Sequence, residues 1–175
     1  MALIVFMRGV NVGGHKTFRP VALAKELAAL DVVNVGAAGT YVVRKAVTQA
    51  KLRAELNKRL PFQAELMICE GRDLLALART GPFTKKPSNK DERPFVTIMA
   101  KRPRTLPRLP LTRPDGDDWQ VKIVAVTGPF ALSLWRRVGR SILYPNEAVE
   151  KSFGVPGTTR NWNTIVTICG LLGGA

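Results

Sequence analysis

One histidine, two cysteines and thirteen acidic residues are few in a chain of 175 residues, and each scarcity narrows the chemistry. Any histidine-dependent triad or acid–base pair would have to use His15, which sits in a glycine-rich loop with no orienting carboxylate beside it. Cys69 and Cys169 lack the spacing of a metal knuckle or a redox pair and read as buried free thiols. The acids are scattered singly, apart from Asp91-Glu92 and the turn Asp115-Gly-Asp-Asp118, which lacks the terminal Glu and the spacing of a calcium loop. The expectation is no metal and no cofactor. No apolar run approaches the ~20 residues of a membrane span, and Met1-Ala-Leu-Ile-Val-Phe-Met7 has neither the basic start nor the small-residue cleavage site of a signal peptide. A cytoplasmic protein with no membrane partner is expected.

What the chain has in excess is positive charge. Twenty-seven Lys and Arg give a net charge of +14. More than half of it falls between residues 79 and 113, where ten basic side chains face only Asp91 and Glu92. A surface of this kind attracts polyanions, nucleic acid first, and Lys85, Lys86, Lys90, Lys101, Arg102, Arg104 and Arg108 are the candidate nucleic-acid surface. The plain alternative is a solvated, solubilising face. The hydrophobic fraction of 46% and charged fraction of 23% are those of a folded globular protein.

The pattern of apolar residues organises the first half. Ala2 to Met7 is a continuous apolar run of strand length, as in a central strand buried on both faces. Pro20 opens a helix over Val21 to Leu30, and the β-branched runs Val32 to Ala37 and Tyr41 to Val47 read as a hairpin. Thr48 caps a second helix with Leu52, Leu56 and Leu60 inward, before Pro61 stops it. Ala64 to Glu70 is a strand and Arg72 to Arg79 a short helix.

The second half repeats the plan imperfectly, with strands at Pro94 to Ala100, Gln120 to Val126 and Phe130 to Trp135. Helices are expected from Asn146 to Phe153 and from Asn161 to Leu172. Between residues 101 and 118, prolines at 103, 107, 110 and 114 forbid the helix the repeat would want, leaving an extended, mobile surface loop. Trp119 and Trp135 read as core or rim packing. The expected fold is α+β, two packed βαββαβ ferredoxin-like halves with the second degenerate: residues 1–80, a basic connector at 81–93, and residues 94–175 with the C-terminal helix.

Two stretches hold side chains that packing alone would not choose. Gly9-Val-Asn-Val-Gly-Gly-His-Lys-Thr17 approaches a phosphate-cradling loop, since Gly9 and Gly14 have the required separation. His15 occupies the position that needs the lysine, and Phe18-Arg19-Pro20 delays the helix. No dinucleotide fingerprint follows the first strand either. In Gly157-Thr-Thr-Arg-Asn-Trp-Asn-Thr164, Thr158 or Thr159 is expected to cap the last helix, placing Arg160, Asn161 and Trp162 in its first turn, where anions are favoured. The candidate ligand-binding set is Arg8, Asn11, Gly13, Gly14, Lys16, Thr159, Arg160, Asn161 and Trp162. The two stretches are expected side by side.

Phe6-Met-Arg-Gly-Val-Asn-Val-Gly-Gly14 closely resembles the N-terminal signature of the bacterial family domain of unknown function 1697 (DUF1697). Ala38-Gly-Thr-Tyr-Val-Val43 resembles its Ser-Gly-Asn-Val-Val-Phe segment, and Gly154-Val-Pro-Gly-Thr-Thr-Arg-Asn-Trp-Asn-Thr164 its C-terminal signature. The resemblance implies an α+β fold with two ferredoxin-like parts and supplies no activity. The chain departs from the pattern: Ala38 and Thr40 replace the family's Ser and Asn, Tyr144-Pro-Asn146 replaces a Gly/Ser/Lys-rich approach, and the proline-rich loop replaces a helix. Three functional readings remain open. The first is a module binding nucleic acid or a phosphate-bearing small molecule, although the paired strand aromatics of RNA-binding sheets are missing. The second is a small-molecule enzyme using the same polar residues. The third is a purely structural network of Arg8, Asn11, Arg160 and Trp162.

Overall fold

The computed structural model describes residues 1–83 and 90–173. It has a mixed α+β architecture of two antiparallel sheets, one of four strands and one of five, with five α-helices. The chain divides into two compact units, Met1–Arg79 with Val166–Ala175, and Thr80–Ile165. No described helix is long and apolar enough to cross a membrane.

In the first unit the elements run β1 (Leu3–Arg8), α1 (Pro20–Glu26), β2 (Val32–Asn34), β3 (Thr40–Val43), α2 (Gln49–Arg59), β4 (Glu65–Glu70) and α3 (Gly71–Arg79). The sheet order is β2-β3-β1-β4, every pairing antiparallel. The apolar run Leu3 to Met7 is buried throughout, as its composition demands of a central strand covered on both faces. Leu3, Val5 and Met7 share a core with Leu23 and Leu27 of the α1 segment and with Leu52, Leu56 and Leu60 around α2. Ile4 and Phe6, on the opposite face, are equally buried. Thr48 caps α2, accepting the Lys51 N–H at 3.2 Å. Tyr41 is buried and donates its hydroxyl to the Pro20 carbonyl at 3.1 Å.

The second unit holds β5 (Arg93–Met99), β6 (Leu111–Arg113), β7 (Val121–Thr127), β8 (Phe130–Trp135), α4 (Pro145–Phe153) and β9 (Gly157–Asn161), in the sheet order β6-β7-β8-β5-β9. All of its pairings are antiparallel, with a bulge between Ile123 and Ala125. Ala148 and Val149 of α4 pack with Met99, Val121, Ile123 and Ala131. The last helix, α5 (Trp162–Leu171), begins in this unit and crosses the division at Ile165.

Two sequence expectations need correction. The segment between residues 101 and 118 has no helix, but it is not loop throughout: Leu111–Arg113 pairs with β7, Leu111 opposite Ile123. Proline forbids a helix, not an edge strand. Residues 157 to 161 are likewise strand, so α5 starts at Trp162 and Arg160 lies outside it.

Candidate functional site

The glycine loop after β1 is a miniature hairpin. Val12 and His15 form an antiparallel bridge, the His15 N–H donating to the Val12 carbonyl at 3.0 Å. Gly13 and Gly14, at φ 57 and 77, occupy the two central positions, where a type I′ turn needs left-handed backbone. Asn11 is itself left-handed, at φ 54. Its side-chain amide donates to the Ala37 carbonyl and its oxygen accepts the Phe18 N–H, both at 3.0 Å. Asn11 thus ties the loop to a segment 26 residues away. Arg8 is the register partner of Glu65 on β4 and binds both carboxylate oxygens, at 3.0 and 2.9 Å. The pair is substantially exposed, and such pairs contribute under about 1 kcal/mol. Lys16 and His15 are exposed on this loop.

The second polar stretch lies on β9. Its register against β5 sets Thr158 opposite Ile98, Thr159 opposite Thr97 and Arg160 opposite Val96. The Thr97 and Thr159 hydroxyls meet at 2.8 Å. Arg160 is buried, and its Nη1 donates to the Thr158 hydroxyl at 2.9 Å and the Thr159 carbonyl at 2.8 Å. Removal from water disfavours the charged guanidinium and lowers its pKa to about 10. Asn161, not either threonine, caps α5: its oxygen accepts the Thr164 N–H at 2.8 Å and the Thr164 hydroxyl at 2.9 Å. Trp162 packs edge-on against Phe83, ring centres 5.2 Å apart.

Packing accounts for two glycines in the signature stretches. A Cβ on Gly39, at φ 67, would lie 2.7 Å from the Cβ of Met7 and 2.9 Å from Val10, and one on Gly157 would lie 2.7 Å from the Thr97 methyl. Only hydrogen fits at these positions.

Of the ligand-binding candidates, Arg8, Asn11, Gly13, Gly14 and Lys16 fall in the first unit, and Thr159, Arg160, Asn161 and Trp162 in the second. Of the basic candidates, Lys90, Lys101, Arg102, Arg104 and Arg108 are exposed, while Lys85 and Lys86 lie outside the described residues. Among the described residues no cluster of His, Cys, Asp and Glu could hold a metal. Sequence reasoning missed a cationic stack: the Arg136 guanidinium lies 4.1 Å and the Lys122 ammonium 4.8 Å from the ring of buried Trp119. Arg136 also donates to the carbonyls of Trp119, at 2.8 Å, and Asp117. No sequence spacing announces it, because Trp119 and Arg136 meet through the strand pairing around β7 and β8.

In fold the chain is similar to the conserved bacterial protein SP0830 from Streptococcus pneumoniae, at a TM-score of 0.55 and 17% identity, with 98% of each chain covered. At that identity the likeness concerns the fold alone. No curated protein matches the chain. A family model described as "Protein of unknown function (DUF1697)" matches residues 1–125, which take in both the Phe6–Gly14 and the Ala38–Val43 stretches. With most of its length covered by that match, the chain belongs to the DUF1697 family.

Proposed function

We propose that this protein binds nucleic acid in the cytoplasm, without sequence preference, through the basic surface of its second unit. One observation carries the reading. Lys101, Arg102, Arg104 and Arg108 are all exposed within eight residues that contain no acid, and none of the ion pairs among the described residues uses them. Cations held in this way are open to phosphate, and each phosphate neutralised releases condensed counterions. Phe95 of β5 and Trp135 of β8 meet edge-on, ring centres 6.3 Å apart, and Trp135 packs on the core of Met99, Val121 and Ile123. The pair is engaged in packing and not laid out as a platform for bases, so the attraction is electrostatic.

The polar signature residues take a different part in this reading. Asn11 holds a loop and Asn161 a helix end through bonds to their own chain. An enzyme built on Arg160 would have to draw that side chain away from Thr158 and Thr159. We also infer that each unit is ferredoxin-like. Strand order β2-β3-β1-β4 in the first and β7-β8-β5-β9 in the second support this, the proline-rich segment and β6 standing where the second unit's first helix would be.

The test is fluorescence anisotropy with a labelled mixed-sequence duplex across a salt series. Affinity of roughly micromolar order is expected, with a log–log salt slope of about −3 to −4 if four phosphates are neutralised. A variant combining Lys101→Gln, Arg102→Gln, Arg104→Gln and Arg108→Gln should lose most of that affinity and slope. Binding that the fourfold variant leaves unchanged sinks the proposal.

A further inference from the structure

Residues 104 to 108, Arg-Thr-Leu-Pro-Arg, are all exposed, yet the segment is anchored at both ends. Pro103 before it is buried, and Leu109 after it packs on the core of Met99, Val121 and Ile123. Leu111, two residues further on, is held in the β6–β7 pairing. The chain therefore has an apolar surface within reach and uses it for Leu109 and Leu111. Leu106, at the midpoint between two arginines, is instead 47% exposed. Pro107 stiffens the backbone beside it.

Resting on the nucleic-acid reading above, we infer that Leu106 is a wedge that enters the base stack of duplex DNA, while Arg104 and Arg108 hold phosphates on either side of the opened step. An apolar side chain inserted between base pairs partly unstacks them and kinks the duplex by ~20–90°, and leucine and proline are among the residues that do this. The observations favour a duplex over the alternatives. Single-strand binding needs aromatic platforms, and residues 101 to 118 contain no aromatic side chain. Anchoring in an anionic bilayer needs an extended apolar face, and this loop offers one outward leucine. One leucine suits one base step.

The inference is tested on the full chain with a short DNA duplex carrying dyes at both ends and a 2-aminopurine base within it. The chain should raise energy transfer between the ends and raise 2-aminopurine fluorescence as the base unstacks. Leu106→Ala should abolish both signals while holding affinity within about threefold and the salt slope unchanged, because the charges are untouched. Leu106→Met should restore them. Binding with neither signal, or signals that Leu106→Ala leaves intact, overturns the wedge and leaves the electrostatic reading standing. A chain that fails to bind the duplex, whether or not it binds phosphatidylglycerol vesicles, overturns both.

Discussion

Asn161 accepts two hydrogen bonds from Thr164, one from its backbone N–H at 2.8 Å and one from its hydroxyl at 2.9 Å. The last residue of β9 is thereby the first of the turn into α5, and strand and helix join without an intervening loop. Replacing Asn161 with alanine leaves that N–H without its partner and should cost about 1 kcal/mol. Asn161→Asp retains an acceptor oxygen and should cost less. Urea unfolding of the two variants checks the order; equal midpoints for alanine and wild type would show that the cap contributes nothing.

The two crowded glycines offer a sharper contrast. Gly157→Ala brings a methyl within 2.7 Å of the Thr97 methyl, and overpacking of this kind costs ~1–3 kcal/mol. Gly39→Ala adds left-handed backbone to the clash with Met7 and Val10 and should destabilise more. Gly128→Ala, at φ 57 with open space around it, isolates the backbone contribution. The expected order of thermal midpoints is Gly128→Ala above Gly157→Ala above Gly39→Ala.

Asn11 is a loop clamp whose side chain makes two bonds to backbone. Asn11→Gly keeps the left-handed conformation open and removes both bonds, for a cost of about 1–3 kcal/mol. Native-state hydrogen exchange should show the Phe18 amide losing protection, while amides in β1 keep theirs. Unchanged protection at Phe18 would remove Asn11 from this role.

The thiols should be inert in the native chain. Burial, with smaller contributions from Asp73 and Glu70, pushes the Cys69 thiol up to about 12, and burial raises that of Cys169 as well. The thiolate is the reactive form, so a disulfide reagent at mildly alkaline pH should label both cysteines in denaturant and neither in the folded protein. The sign of the linkage follows. The unfolded thiol of Cys69 ionises near pH 9.0 while the folded one keeps its proton to about 12. The folded state therefore binds more protons in that window, and the contribution, fully present below pH 9, is lost as pH rises towards 12. Cys69→Ala should flatten the alkaline limb of the stability profile. A profile identical to wild type would contradict the shift.

Some of this protein was legible without coordinates. A continuous apolar run implies a strand covered on both faces, and Leu3 to Met7 is one. Leucines four apart behind a threonine imply an amphipathic helix with a cap, and α2 is one. These rules work because the information is local: side-chain periodicity follows from backbone geometry. The exposed basic residues from 101 to 108 were legible for the same reason, since charge without a partner stays in water.

Residues 157 to 161 were not legible in this way. Gly-Thr-Thr-Arg-Asn has no apolar alternation to mark a strand, and its polar residues suggested a helix end. It is a strand because β5 supplies the ladder, and Thr97, 62 residues away, supplies the hydroxyl that meets Thr159. The same holds for Asn11, whose partner Ala37 lies 26 residues off. A polar residue can be buried only where its hydrogen bonds are met. For Thr159 and Asn11 those partners come from distant parts of the chain. Arg160 bonds to its neighbours Thr158 and Thr159, and it is the pairing of β9 with β5 that goes with its burial. The tertiary structure thus decided that Arg160 is buried and Leu106 exposed.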